Sequence, residues 1–220
     1  MPAPGEHHPA FEEYCECIYE LDEDDVDVIQ ARIADRLQVS RPAVSEMIKR
    51  LEQEGLVESE RNKIRLTPAG LELAERVVRR HRLAERFLTD ILGLSWSDAH
   101  REAGRWEHVM SDEVERAMDR VLGGPTTCPH GNPIPGSDYE APDSTRLVDV
   151  EVGTAFTVSS ITEELEFAPG LLDFLESSSI QPGHIGRVTA ASPDGTMTVE
   201  IDGNHVGVGS FASARILVTA

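Results

Sequence analysis

The chain has 220 residues, enough for one large domain or for two to three small ones with cores of their own. Forty acidic against 20 basic residues give a formal net charge of −20, which argues against non-specific adhesion to nucleic acid or anionic membranes. No run approaches the ~20 apolar residues of a membrane span, and the opening Met1-Pro2-Ala3-Pro4-Gly5-Glu6 lacks the charged-then-apolar pattern of an export signal, so the expected location is cytoplasmic, with no membrane partner.

Charge is unevenly placed. Residues 1–27 hold ten acids and no Lys or Arg, whereas residues 28–66 hold eight basic residues against six acids. Residues 9–21 carry Phe11, Tyr14, Ile18 and Leu21 at helical spacing among Glu12, Glu13, Glu16 and Glu20, which predicts an acidic amphipathic helix. A second pattern, Val28, Ile29, Ile33, Ala34 and Leu37, precedes Val39-Ser40-Arg41-Pro42 and then Val44, Met47, Ile48 and Leu51. Ser40 stands where an N-cap belongs, Pro42 fits a first turn and Gly55 ends the run. Residues 56–67 read as two alternating runs about a polar turn, a small hairpin. Two short helices with a hairpin behind them make a winged helix.

Thr67-Pro68 opens a long helix through Leu88, and a further helix is predicted over Ser97 to Leu122. A Pro/Gly-rich loop runs from Gly123 through Gly136, and residues 137–146 have linker composition. From Leu147 onward alternating segments (Thr154 to Ile161, Ile185 to Ala190, Met197 to Ile201, His205 to Val208, Arg215 to Val218) separated by turn signals predict a small β barrel.

Two constellations carry chemistry. At the reading end of the second short helix stand Ser40, Arg41, Pro42, Ala43, Ser45 and Glu46. Lys49, Arg50, Arg61, Lys63 and Arg65 are placed to hold phosphates, as a recognition helix and wing require. A helical hairpin that merely packs in a core is the plainer alternative, and the local basicity of an acidic chain weighs against it. On the long helix, His81 and Glu85 are four apart and share a face; His100, Glu107 and His108 stand at i, i+7 and i+8 on the next. Imidazole with carboxylate suits Mn(II), Fe(II), Co(II), Ni(II) or Zn(II), although any one of these His alone reads as a solvated or capped residue. Glu13 with Glu16 or Cys17 on the first helix could reach an ion docked beside it, or simply form a solvated acidic face. Cys15 and Cys17 are too close for a routine bridge, and Cys128-Pro129-His130 lacks the second pair of a closed zinc site and is read as packing.

Three stretches carry a resemblance: Arg80-His81-Arg82-Leu83-Ala84-Glu85-Arg86-Phe87-Leu88-Thr89-Asp90-Ile91-Leu92-Gly93-Leu94, then Arg105-Trp106-Glu107-His108-Val109-Met110-Ser111-Asp112-Glu113-Val114-Glu115, then Gly131-Asn132-Pro133-Ile134-Pro135-Gly136. With Ile18-Tyr19-Glu20-Leu21 and the helix-turn-helix, the chain through Gly136 closely resembles the diphtheria toxin repressor family of iron- and manganese-dependent regulators. The C-terminal part resembles that family's SH3-like domain. The resemblance implies an α+β multidomain homodimer: a winged-helix domain at 1–73, a helical dimerisation and metal-binding domain at 74–140, a linker at 141–146 and an SH3-like (FeoA-like) domain at 147–220. It also implies palindromic operator DNA as partner and a divalent metal as cofactor.

By the same resemblance His81, Glu85 and His100 match an ancillary metal site, with Glu164 and Glu166 as possible C-terminal donors. Glu107 and His108 match the primary site, and Arg82 and Asn132 match positions that hold an anion, where Cys128 replaces a Ser. Glu13 stands where iron-responsive members place a Met, Gly104 where they place a Cys, and Glu16 matches a ligand of the manganese regulators. Oxygen donors favour Mn(II) over Fe(II) relative to a thioether site. The expectation is a metal-switched repressor rather than an enzyme: metal joins the first helix to Glu107 and His108 and fixes the spacing of the recognition helices. A metalloenzyme is the rival from another class, and no nucleophile or oxyanion motif accompanies the ligands; a metal-storage protein is a third reading, against which the winged helix counts.

Overall fold

Side-chain caps start the N-terminal helices. In α1 (Pro9–Glu23) His8 accepts from the Ala10 N–H at 3.2 Å, and in α3 (Arg41–Gln53) Ser40 accepts from Ala43 at 3.3 Å with Pro42 behind it. Each cap satisfies a backbone donor that the helix leaves without a partner. Between them lies α2 (Gln30–Arg36), and after Gly55, at φ +72°, come the antiparallel strands β1 (Val57–Glu60) and β2 (Lys63–Leu66), with Val57 opposite Leu66. The winged helix expected from sequence is therefore present. The computed structural model describes residues 8–61 and 63–220, so the opening Met1 to Glu6 lie outside the described residues.

One cluster of buried side chains joins these elements, including Ile18, Ile33, Val44, Ile48, Leu51 and Leu73. Burying an aliphatic side chain of this size contributes about 1.5–3 kcal/mol each. The cluster holds α1 and the start of α4 (Pro68–Arg86) against the helix-turn-helix. A π-helical turn, Phe87–Ile91, extends α4.

The single helix predicted over Ser97 to Leu122 is two: α5 (Trp96–Trp106) and α6 (Asp112–Leu122). Ser111 accepts from the Val114 N–H at 3.4 Å, and Asp112, Glu113 and Glu115 fill the first turn of α6. A capping Ser with acids after it is a helix start, and here that local signal overrode the apolar periodicity. The break leaves Glu107 buried and His108 half-buried at the end of α5, while Val109 points to solvent.

Beyond the loop, β3 (Thr145–Arg146), β4 (Ala155–Ile161), β5 (Ile185–Ala191), β6 (Met197–Ile201), β7 (Asn204–Val208) and β8 (Ile216–Thr219) form one antiparallel sheet. The strand order is β3-β8-β4-β5-β6-β7. Register shifts between Val158 and Ser160 and between Val188 and Ala190 mark bulges, which increase local twist and bend the sheet around its core. Thr145 and Arg146, read from sequence as linker, pair with β8. Two short helices in the β4–β5 connection went unassigned in the sequence: α7 (Glu163–Glu166) and α8 (Leu171–Ser177). Leu165, Leu172 and Leu175 pin them to the sheet core, and Trp96 of α5 joins that same core. No helix among the described residues is long and apolar enough to cross a membrane.

Candidate metal centre

On α1, Glu12, Glu16 and Glu20 recur at the i, i+4, i+8 spacing that shares a helix face, and all three are buried. Burying carboxylates is costly unless partners meet them. Burial and then neighbouring carboxylates push Glu16 and Glu20 well above the ordinary range. Facing this stripe are α4, which carries His81 and Glu85 one turn apart, and the broken end of α5 with Glu107 and His108.

The side chains form an alternating carboxylate–imidazole chain. Glu12 Oε2 lies 2.8 Å from His108 Nδ1, and His108 Nε2 lies 3.2 Å from Glu107 Oε1. The other oxygen of Glu107 meets His81 Nδ1 at 2.5 Å, and His81 Nε2 lies 3.2 Å from Glu85 Oε1. Glu85 Oε1 is 3.0 Å from His100 Nδ1, and its second oxygen is 3.5 Å from His130 Nδ1. Glu166 of α7 closes the chain, with Oε2 at 3.2 Å from His100 and 2.9 Å from His130. Three overlapping sets have donor atoms close enough to share one ion: Glu16, His81 and Glu107; His81, Glu85 and His100; and Glu85, Cys128 and His130.

The electrostatics follow from this alternation. Burial disfavours charge on His81 and His130, yet the carboxylates around them outweigh it and hold both well above the ordinary imidazole range. His100 reaches about 10 against the pull of burial, through its hydrogen bonds to Glu166 and Glu85. The converse holds for Glu85 and Glu166, lowered despite burial by His130 first. Protons thus supply the positive charge that these carboxylates demand, and a divalent cation can take their place. The donor set fits such an ion. His130 Nε2 is buried without a hydrogen-bond partner, and imidazole with carboxylate is the ligand chemistry of divalent first-row metals.

Several sequence expectations meet here and others do not. His81, Glu85, His100, Glu107, His108 and Glu16 converge. Glu13 is exposed and sits on the rim of a cavity of about 410 Å³ that Glu16, Gly104, Glu107 and His108 also line. It is Glu12 that reaches His108. Around Gly104 an added Cβ would meet nothing within 4 Å, so the cavity is open there. Cys17 is part of the hydrophobic core, its thiol pushed up by burial.

The anion expected between Arg82 and Asn132 has a counterpart within the chain. Arg82 Nη2 donates to Glu163 Oε1 at 2.7 Å, and Asn132 Nδ2 lies 3.3 Å from the same oxygen. Glu164, named from sequence as a donor, instead accepts from Arg215 Nε at 2.6 Å, while its backbone N–H donates to Asp24 Oδ2 at 3.0 Å. Cys128 and His130, read as packing, are fully buried beside Glu85, with Sγ 3.8 Å from His130 Nδ1. The Cys-x-His spacing was a visible signal. Its missing partners come from α4 and α7, which no local pattern announces. Gly131 makes the approach possible: a Cβ there would lie 2.3 Å from the Ser159 carbonyl oxygen, so only Gly lets this loop press on β4.

The expected DNA-reading residues lie together on another face. Arg41, Pro42, Ala43, Glu46, Lys49, Arg50 and Arg61 are exposed, Ser45 is half-buried, and Val44, Ile48 and Leu51 turn inward. Lys63 is paired with Asp27 at 2.5 Å, Ser40 is committed to its cap, and the Arg50 guanidinium lies 5.2 Å from the Phe11 ring centroid.

Comparison with known proteins identifies the family. Residues 8–63 match the iron-dependent repressor N-terminal DNA-binding domain, and residues 67–136 match the iron-dependent repressor metal-binding and dimerisation domain. The chain is 42% identical over 207 residues to the iron-dependent repressor IdeR of Mycobacterium leprae, covering 88% of this chain and 89% of that protein. It is 41% identical over 206 residues to the diphtheria toxin repressor of Corynebacterium diphtheriae, covering 89% and 90%. A solved structure of a manganese-dependent transcriptional repressor in complex with manganese superposes with a TM-score of 0.86 at 33% identity, covering 96% of this chain and 99% of that one.

Proposed function

Because this chain belongs to the iron-dependent repressor family, we propose that it represses metal-homeostasis genes by binding palindromic operator DNA as a homodimer when loaded with divalent metal. The observation that carries this reading is the alternating chain of carboxylates and imidazoles. It links α1, part of the helix-turn-helix core, to Glu107 and His108 on α5 and to Glu166 on α7. A bound divalent cation supplies fixed positive charge among these carboxylates. Glu16, Glu107 and His108 would hold it beside α1; His81, Glu85, His100 and Glu166 would hold a second; Glu85, Cys128 and His130 would offer a third, softer set. With the cluster neutralised, α1 is drawn to α5 and the recognition helices keep one spacing. A ligand that favours the DNA-competent arrangement raises DNA affinity, and DNA raises metal affinity by the same factor. All these steps are binding steps, so the chain acts without catalysis.

The oxygen-rich set beside Gly104 favours Mn(II). Cys128 beside Glu85 and His130 is the observation that favours the second reading, an iron-responsive regulator of the same family. Three separate hydrophobic clusters support units near 1–73, 74–140 and 147–220. Ile91, Leu92, Val109, Val114 and Val121 are exposed apolar residues on the segment matched to the dimerisation model, and a second copy of the chain is their proposed cover. The deciding experiment is operator affinity titrated with Mn(II), with Fe(II) under reducing anaerobic conditions, and with Zn(II). Mn(II) is expected to act at the lowest free concentration. Equal DNA affinity with and without every metal would overturn the switch, and a response confined to Fe(II) would select the second reading.

A further inference from the structure

We infer that Glu12 is a positioning residue for His108, so that α1 grips the metal centre twice, at Glu16 and at Glu12. The inference rests on the reading of Glu107 and His108 as metal ligands.

Consecutive residues of an α-helix point about 100° apart, so Glu12 and Glu13 cannot serve the same face. Glu12 is buried, with the side chain of its neighbour exposed. One turn separates Glu12 from Glu16, and both face the broken end of α5, where Glu12 meets His108 and Glu16 lies within one ion's reach of His81 and Glu107. An ionised carboxylate only accepts hydrogen bonds, so His108 must donate from Nδ1 to Glu12 Oε2 across the 2.8 Å contact. In the neutral ring this leaves the lone pair on Nε2. That nitrogen lies 3.2 Å from Glu107 Oε1, on the side of the cavity that Glu16 and Gly104 also line. A carboxylate behind a ligating imidazole fixes its tautomer and ring orientation and raises its basicity, and loss of such a partner costs about 10- to 100-fold in metal affinity. Here that partner is 96 residues away in sequence and sits in the first turn of the helix that packs on the helix-turn-helix. The orienting contact is thus also a link between the metal centre and the DNA-binding half.

A purely structural Glu12 would merely tie α1 to α5, and three variants separate the two roles in the full chain. Glu12→Leu removes the acceptor, Glu12→Gln keeps a carbonyl that can accept from Nδ1–H, and Glu13→Ala alters the neighbouring face. Mn(II) affinity is measured by competition with a metallochromic indicator, the His108 tautomer by ¹⁵N resonances of the Zn(II)-loaded chain, and the thermal midpoint without metal. Glu12→Leu is expected to weaken the tighter Mn(II) site by about 10- to 100-fold and to lose the Nδ1–H resonance. Glu12→Gln should recover both in part, with the metal-free midpoints of the two variants alike. Glu12→Leu affinity within about twofold of the parent, or a tautomer unchanged in every variant, would overturn the inference while leaving the switch standing. A parent chain that binds no Mn(II) would overturn both.

Discussion

The helix-turn-helix and the metal centre differ in how far along the chain they reach. The face proposed to read DNA is built from residues 40–61 and 63–65, each element adjacent to the next, with Arg41, Glu46, Lys49, Arg50 and Arg61 outward and Val44, Ile48 and Leu51 inward. The candidate metal centre is largely buried and draws on Glu12, His81, Glu107, His130 and Glu166, which lie far apart in the chain and meet through tertiary packing. Local periodicity suffices for the first and leaves the second half-specified. On the proposed reading the difference also divides labour: the exposed face binds DNA, and the buried chain decides when it does.

The strongest way to break this division is Glu107→Ala. It removes the carboxylate that faces His81 and His108, and operator affinity should lose its metal stimulation, a factor of about 5–150 for a typical coupling. Fluorescence anisotropy with and without Mn(II) reads this directly; retention of more than about half the stimulation, on the logarithmic scale, would place the switch elsewhere. On the other side, Arg50→Ala should weaken operator binding by about tenfold and flatten its salt dependence by about one counterion, with Mn(II) affinity unchanged. A change in Mn(II) affinity of the isolated variant would show that the two regions are not separate.

Proton linkage sharpens the comparison, because the raised groups belong to the interior. His100 is held at about 10 and Asp24 at about 7, the latter by burial first and Glu163 second. Both groups bind more protons in the fold than in the unfolded chain. Their stabilisation is complete below the unfolded values and is lost as pH rises through the folded ones. Glu85 and Glu166 act oppositely and lose theirs only in acid. The metal-free thermal midpoint should therefore fall between about pH 6 and about pH 9, and metal, whose ligands must shed protons, should stabilise more as pH rises. A metal-free midpoint that climbs over that interval would contradict the buried chain. The smallest expected effect is at Phe167, whose ring lies 4.5 Å from the Arg36 guanidinium and 5.3 Å from the His100 ring. Phe167→Ala should cut metal stimulation by about two- to fivefold, the scale of a cation–π contact of about 0.5–1 kcal/mol.

Much of this was legible in the sequence. The caps at Ser40 and Thr67, the helical stripes and the alternating strands are short-range signals, and His81, Glu85, Glu107 and His108 stood in stretches long enough to show a family. Residue 12 against residue 13 was not legible, since both are Glu on one helix and only packing decides which is buried. Nor was the break at Ser111, where the cap won over a periodicity that continued through it. Glu163 in place of Glu164, and His130 as a neighbour of Glu85, depend on how α7 and the Pro/Gly loop dock, which no local pattern encodes.

His81 presents Nδ1 to Glu107 and Nε2 to Glu85. A neutral imidazole has one proton and one lone pair to distribute between those sides. Whichever neighbourhood takes the lone pair obliges the other nitrogen to keep its proton and donate it. With a metal ion on Nε2 the ring would keep its one proton on Nδ1 and donate it to Glu107, so on the proposed reading the two halves of the centre are joined through a single hydrogen atom, and the chain would answer a rising metal supply as one device rather than as a row of separate traps.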